Sequence, residues 1–319
     1  MSTFTVSRLT RPDGTSLAVY RWPAPDPSHG PIKAVVQIVH GLAEHAARYD
    51  RLAQALTRAG YAVYASDHRG HGQTARGSAE LGHFADREGF QRVVEDVHAV
   101  HQALLAEQPG CPSVLFGHSF GSFVTQRYLA LHGDSLQAAV LSGTTAGASA
   151  LIRVALGIAR VERLRLGARS TSALLQRLTF GAYNNEFKPT KTAFDWLSRD
   201  PSEVAKYASD ALCGFAVSTQ AWCDLLEGML GNEDPALRRR VPKHLPIYIM
   251  SGAVDPTGRA SQGPKALAAA YEKAGLDQVT LRLYPNGRHE LINETNREEV
   301  TNELIAWLDA HVAGHRRTA

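Results

Sequence analysis

Ser113-Val114-Leu115-Phe116 runs directly into Gly117-His118-Ser119-Phe120-Gly121, and a helical pattern follows over residues 123–132. The architecture follows from this segment. An apolar strand, a turn with a glycine two places on either side of a serine, and a helix together make a sharp strand-to-helix turn. Small residues flank the apex because the backbone is crowded there, and the Ser119 hydroxyl then stands exposed at the helix N-terminus. A Gly-x-Ser-x-Gly string arises by chance in many proteins, so the strand before it and the helix after it carry the reading.

On either side of it, short runs rich in Val and Ile recur at 34–39, 62–65, 138–141, 247–250 and 279–283. Most read as strands buried on both faces. Helical patterns lie between and after them, over 49–59, 90–107, 263–274 and 297–312. Strands alternating with helices of this length imply right-handed crossovers and a parallel sheet covered on both faces. Before the alternation, segments 4–9 and 17–22 flank Pro12-Asp13-Gly14 and predict an antiparallel hairpin, followed by a Pro-rich linker over 23–31. Between about 145 and 241 the alternation breaks: there is no convincing strand, only helical segments at 151–164, 173–179, 202–208 and 220–230. The expected organisation is a core over 1–145, a helical cap over 146–240 and the rest of the core over 241–319. Such an insertion sits at the carboxyl edge of the sheet, where open α/β folds bind ligands.

The chain has 319 residues, more than one compact core usually holds, and its 44% hydrophobic and 20% charged residues suffice for a buried sheet. Net charge is +3 and scattered, so nothing points to nucleic acid, and Arg238-Arg239-Arg240 reads as a surface turn. Cys111, Cys213 and Cys223 are odd in number and lack metal-ligand spacing, which supports neither a disulfide framework nor a zinc site. The N-terminus lacks the basic start and apolar run of a signal peptide, and the longest apolar candidate, 146–158, contains Arg153 and two glycines. A soluble, cytoplasmic protein in a reducing compartment is the expectation.

A serine hydroxyl attacks well only when a base takes its proton and a third group holds that base. In this architecture the partners follow in the order serine, acid, histidine, each after a later strand. Asp255 lies in the loop beyond 247–250 and His289 in the loop beyond 279–283. His311 falls in the last helical pattern, His315 in a polar tail, and His118 is expected to point away from Ser119. An oxyanion needs backbone N–H donors. Phe120, directly after the serine, offers one, and Leu42 in His40-Gly41-Leu42 after the first parallel strand offers the second. Two histidine-rich strings, His40 with Glu44 and His45, then Asp67 with His68 and His71, do not match helical metal-ligand spacing; they are expected to orient loop backbone, with no metal and no cofactor required.

Together these motifs resemble the monoacylglycerol lipase and lysophospholipase-like branch of the α/β hydrolases, also described as serine aminopeptidase-like. The resemblance rests on His40-Gly41-Leu42-Ala43-Glu44-His45 with Arg48-Tyr49, on Asp67-His68-Arg69-Gly70-His71-Gly72, on Gly117 to Gly121, and on Ser251-Gly252 through Asp255 with the loop of His289. It implies an α/β-hydrolase fold with a mostly parallel eight-stranded sheet, flanking helices and a helical cap. It further implies hydrolysis of carboxylic esters through an acyl-enzyme on Ser119, with monoacylglycerol, lysophospholipid-like or other small acyl esters as substrates. Phe120 stands where the family commonly has Met, and is expected to narrow the pocket. The rival readings are an amide or peptide hydrolase of the same fold and a binding module without catalysis, although the three catalytic positions are all filled. Arg153, Arg160, Arg163 and Arg165 in the cap read first as a solvated face, with transient contact with anionic lipid surfaces as the second reading.

Overall fold

The computed structural model describes residues 3–23 and 30–312; most of the Pro-rich linker, and His315, lie outside the described residues. The opening hairpin is β1 (Thr5–Thr10) and β2 (Ser16–Arg21), closed by Arg11 N donating to Thr15 O at 2.7 Å and Gly14 N to Arg11 O at 2.9 Å. Then β3 (Val35–Val39), α1 (Asp50–Arg58), β4 (Ala62–Ser66), α2 (Gly89–Glu107), β5 (Ser113–His118), α3 (Phe120–His132) and β6 (Ala138–Ser142) alternate as the sequence pattern requires. After the insertion come β7 (Ile247–Gly252), α10 (Gln262–Lys273), β8 (Val279–Tyr284) and α11 (Arg297–Val312). The eight strands form one sheet in the order β1-β2-β4-β3-β5-β6-β7-β8, parallel from β4 to β8 and antiparallel only where β2 meets its neighbours.

Every residue of β3 to β7 is buried, because helices cover both faces. Period-two alternation divides the strand residues between the two layers. Val36, Ile38, Val114 and Phe116 pack under Leu52 and Leu56 of α1 and Leu304 and Leu308 of α11. On the other side, Val39 and Leu115 pack with Val93, Val97 and Val124 of α2 and α3, and Ile247 and Ile249 with Leu267 and Tyr271 of α10.

Six helices fill the insertion between β6 and β7: α4 (Ser149–Leu166), α5 (Ala173–Leu178), α6 (Phe180–Tyr183), α7 (Pro201–Ser209), α8 (Thr219–Asn232) and α9 (Pro235–Arg238). Their starts are written locally: Ser172, Asp200, Ser218 and Asp234 each accept a bond from a first-turn amide, and Pro201 and Pro235 follow the two aspartates. Ile152, Leu156 and Ala159 on α4 share a cluster with Ala221, Trp222 and Leu225 of α8, and that cluster continues into Phe90 and Phe123 of α2 and α3. The insertion is therefore rooted in the core through α8. Of the apolar residues on α4 and α5, Leu156 and Leu175 are buried and Ile158 packs against the same cluster, but Leu151, Val154, Leu174 and Leu178 are 45–65% exposed. A helix that is apolar on two sides buries only the side that meets a partner. Among the described residues, no helix is long and apolar enough to cross a membrane.

Candidate active site

Because β3 to β8 run parallel, their carboxyl ends share one edge, and every predicted site residue emerges there. Ser119 stands between β5 and α3 with φ 51° and ψ −119°, a positive-φ conformation that a non-glycine residue adopts only when its surroundings enforce it. They do so from both sides. The Ser119 amide donates to Ser142 O at 2.9 Å, and its carbonyl accepts from Ser122 N at 2.8 Å and Ser122 Oγ at 2.6 Å. Gly121 must lack a side chain, since a β-carbon there would lie 2.0 Å from Val39 O. Helix α3 consequently starts at Phe120, three residues before the sequence pattern predicted.

Asp255 lies three residues beyond β7 and His289 five beyond β8, in loops laced together by Ala253 N donating to Tyr284 O (2.9 Å) and Val254 N to Gly287 O (3.2 Å). The structure brings the pair together: His289 Nδ1 is 2.9 Å from Asp255 Oδ2, with both side chains at most 3% exposed. Thr257, which sequence reasoning missed, donates its amide (2.9 Å) and hydroxyl (2.8 Å) to Asp255 Oδ1 and lies 3.1 Å from His289 Nδ1. Burial pushes Asp255 upward, but the His289 charge and the bonds from His289 and Thr257 outweigh it and hold the carboxyl below its ordinary value. Burial pushes His289 down, and the Asp255 charge and hydrogen bond more than reverse this, so its imidazole titrates above the usual histidine range.

His118 does not lie far from this pair. Its ring centroid is 4.8 Å from that of His289, its Nδ1 is 3.2 Å from Ser142 Oγ, and burial followed by the His289 charge pushes it down to about 4, so it stays neutral. The space is tight: a β-carbon on Gly143 would lie 3.0 Å from His289 Cε1 and 3.1 Å from His118 Cε1. Over His289 lies Trp196 of the insertion, with ring centroids 5.0 Å apart, and His289 N and Glu290 N donate to Trp196 O and Leu197 O at 3.4 and 2.7 Å. No sequence signal marked Trp196.

The loop after β3 runs against Ser119, so that a β-carbon on Gly41 would lie 3.3 Å from Ser119 Cβ. Leu42 follows Gly41 in this loop. The Phe120 amide is at the first position of α3, where a helix offers no internal acceptor. The Phe120 ring is only 1% exposed, stacked on Phe84 at 5.0 Å and edge-on to His68 and Phe90, so it faces no open space and does not narrow a pocket as the sequence suggested.

His40, His68 and His71 orient backbone, as expected, whereas His45 bonds the Asp210 side chain. His40 Nδ1 donates to Gly41 O (2.7 Å), leaving Nε2 to accept from His68 N (3.0 Å); His71 Nδ1 donates to Arg69 O (2.9 Å), leaving Nε2 to accept from Ala43 N (3.1 Å). Burial pushes all three of His40, His68 and His71 down, to about 4 for His68 and about 3 for His71, which keeps them neutral and able to accept. Behind this loop Glu44 Oε1 accepts from Gly41 N (2.5 Å) and Tyr49 OH (2.8 Å) and Glu44 Oε2 pairs with Arg48, which also grips Glu290. The only group of three or more metal-competent side chains among the described residues is His45, Asp210 and Cys213, a set that sequence spacing did not suggest.

A family model for "Serine aminopeptidase, S33" matches residues 30–296. The monoacylglycerol lipase of Mycolicibacterium smegmatis is 29% identical over 281 residues, covering 88% of this chain and 89% of that protein. Human monoglyceride lipase is 28% identical, covering 98% and 91%. A thermostable carboxyl esterase from Bacillus coagulans, solved in complex with glycerol, superposes with a TM-score of 0.88 at 27% identity over 98% of this chain and 100% of that one. The chain belongs to the serine aminopeptidase S33 family and has the α/β-hydrolase fold.

Proposed function

We propose that the protein hydrolyses small carboxylic esters, of the monoacylglycerol or lysophospholipid kind, through an acyl-enzyme on Ser119. The observation that carries this reading is the buried His289–Asp255 pair, 2.9 Å apart, set at the same sheet edge as a serine held at φ 51°. With Nδ1 bonded to Asp255, His289 has Nε2 free to take the Ser119 proton as Oγ attacks the ester carbonyl. The amides of Leu42 and Phe120 hold the developing oxyanion, and Asp255 stabilises the imidazolium. His289 then returns the proton to the leaving alcohol. Water, activated in the same way, releases the acid and frees Ser119. None of these steps calls on a metal or cofactor. The names of the relatives, monoacylglycerol lipases and a carboxyl esterase solved with glycerol, support an ester over an amide substrate.

The segment 146–240 is the cap that selects substrate. Its helix α4 turns Leu151, Val154, Val161 and Leu164 outward, each 61–81% exposed, and α5 adds Leu174 and Leu178. Clustered exposed apolar residues with arginines alongside suit transient contact with an anionic lipid surface, from which acyl esters can be taken. A cytoplasmic setting fits three cysteines with no disulfide between them among the described residues. A panel of p-nitrophenyl esters of rising acyl length beside aminoacyl-anilides tests the reading. Turnover of the esters with acylation of Ser119 is expected; cleavage of the anilides alone would replace it with peptidase activity, and no turnover of either with a binding module.

A further inference from the structure

Three side chains that this mechanism leaves unused meet where the cap touches the loop of Leu42. His45 belongs to the segment between β3 and α1, and Asp210 and Cys213 to the segment between α7 and α8. One ligand atom from each lies within 4.8 Å of the other two, and His45 Nε2 is 2.9 Å from Asp210 Oδ2. We propose that His45, Asp210 and Cys213 form a binding site for one zinc-class divalent cation that clamps the cap to the loop carrying Leu42.

The donor set argues for the class of ion. An imidazole nitrogen, a carboxylate oxygen and a thiolate sulfur suit zinc or cadmium, whereas magnesium and calcium take oxygen ligands. Tetrahedral zinc bonds of about 2.0–2.3 Å put ligand atoms roughly 3.3–3.7 Å apart. That spacing falls between the 2.9 Å that separates His45 Nε2 from Asp210 Oδ2 and the 4.8 Å within which all three ligand atoms lie. On binding, the Cys213 proton leaves to solvent and the sulfur takes its place on the metal. Zinc with one thiolate, one carboxylate and one neutral imidazole carries no net charge, which suits a half-buried place. The nearby Arg48 does not repel the ion on balance, because Glu44 and Glu290 both pair with it.

Access and support are also present. Cys213 is 9% exposed and the His45 side chain 11%, so they close the inner wall, while Asp210 is 34% exposed and leaves a solvent side for a water as fourth ligand. The free oxygen of Asp210 accepts from Leu212 N at 2.8 Å, and Cys213 N donates to Asp210 O at 3.0 Å, which fixes the turn joining the two ligands. Across the gap, Ala43 O accepts from Tyr207 OH at 2.8 Å and from Gly214 N at 2.9 Å. Cap and loop are thus already in register on either side of the site. The ordinary alternative is a histidine–aspartate hydrogen bond beside a packed thiol.

The full chain, stripped with chelator, is titrated with cadmium while the thiolate-to-cadmium charge-transfer band is followed, and zinc is then added as competitor. One ion per chain is expected, with no band in Cys213→Ser and affinity at least about tenfold weaker in His45→Gln and Asp210→Asn. Zinc should raise the Tm of the parent protein and leave that of Cys213→Ser unmoved. A band that persists in Cys213→Ser assigns binding to another cysteine and overturns the site. So does the absence of a band at equimolar cadmium. Should Cys213→Ser not fold, unchanged cadmium affinity in His45→Gln and Asp210→Asn overturns it equally. These readouts use no ester, so the site and the ester-hydrolase reading stand or fall separately.

Discussion

Arg48 and Glu290 form a two-point ion pair, Nη1 to Oε1 and Nη2 to Oε2 both at 2.7 Å, that joins the loop after β3 to the residue next to His289. Arg48 also holds Glu44, whose other oxygen takes the Gly41 amide, so one buried guanidinium ties the Leu42 loop to the His289 loop. Burial pushes the Glu290 carboxyl up, but Arg48 overrides it and brings Glu290 down to about 2.

Glu290→Gln is therefore expected to destabilise the protein by about 3 kcal/mol, the low end for a broken buried pair, because Glu44 still partners Arg48. It should also shift the pH profile. The Glu290 charge helps hold His289 above its usual range, so its removal lowers the His289 titration and moves the acid limb of kcat/KM to lower pH. Denaturant melts and a pH–rate series check both effects. An unshifted limb with unchanged stability would show that the pair does not link the loops.

Ser119→Ala should remove labelling by an alkyl fluorophosphonate and cut kcat by a factor on the order of 10⁶, with the melting temperature little changed. Labelling that survives the substitution would place the nucleophile elsewhere.

The pH dependence follows from His289. Its raised titration means that it is protonated, and unable to take the Ser119 proton, until the pH exceeds the ordinary histidine range. Activity on a neutral ester should rise with pH through an apparent pKa above about 6.5. Asp255→Asn should lower kcat by about 10⁴-fold. The residual activity should titrate at lower pH, because the largest influence raising His289 is gone. A variant that keeps near-parent activity would point to another carboxylate as the third member.

The residues legible in the sequence are those whose position follows from one strand and its loop. Ser119, Asp255 and His289 each sit a few residues beyond an apolar run, and the parallel sheet alone aligns those ends. Thr257 was within reach, since a threonine two places after a turn aspartate has the spacing to bond its side chain. Arg48 and Glu290 are 242 residues apart and met only through sheet closure, and the same holds for Trp196 over His289 and for His45 with Asp210 and Cys213. Helix α4 shows a different limit. Its sequence reads as a helix, but which of its apolar residues turn inward is decided by where α8 lies.

That outward side of α4 supports the last prediction. Leu151, Val154, Val161 and Leu164 fall within one broad face at helical spacing and are 61–81% exposed, while Ile152, Leu156 and Ala159 hold the other side to α8. Exposed side chains of this size gain about 1.5 kcal/mol or more each when fully buried in an apolar medium. Two of them inserted at a lipid surface should therefore strengthen partitioning by roughly two orders of magnitude, and partial insertion by less. Arg160, Arg163 and Arg165 are already engaged with Glu227, Gln220 and Glu162, so the apolar face rather than charge should carry most of the contact. Changing Leu151, Val154, Val161 and Leu164 to Ser should weaken binding to phosphatidylglycerol-containing vesicles at least tenfold. Turnover of a water-soluble p-nitrophenyl ester should stay within a factor of about two, because these side chains are largely exposed and stand outside the cluster that holds α4 to α8. Vesicle co-sedimentation and ester kinetics on the same preparations separate the two effects. Equal vesicle binding by the parent and the variant would show that α4 does not meet the lipid. Equal losses of vesicle binding and soluble-ester turnover would mean instead that the substitutions disturb the cap as a whole.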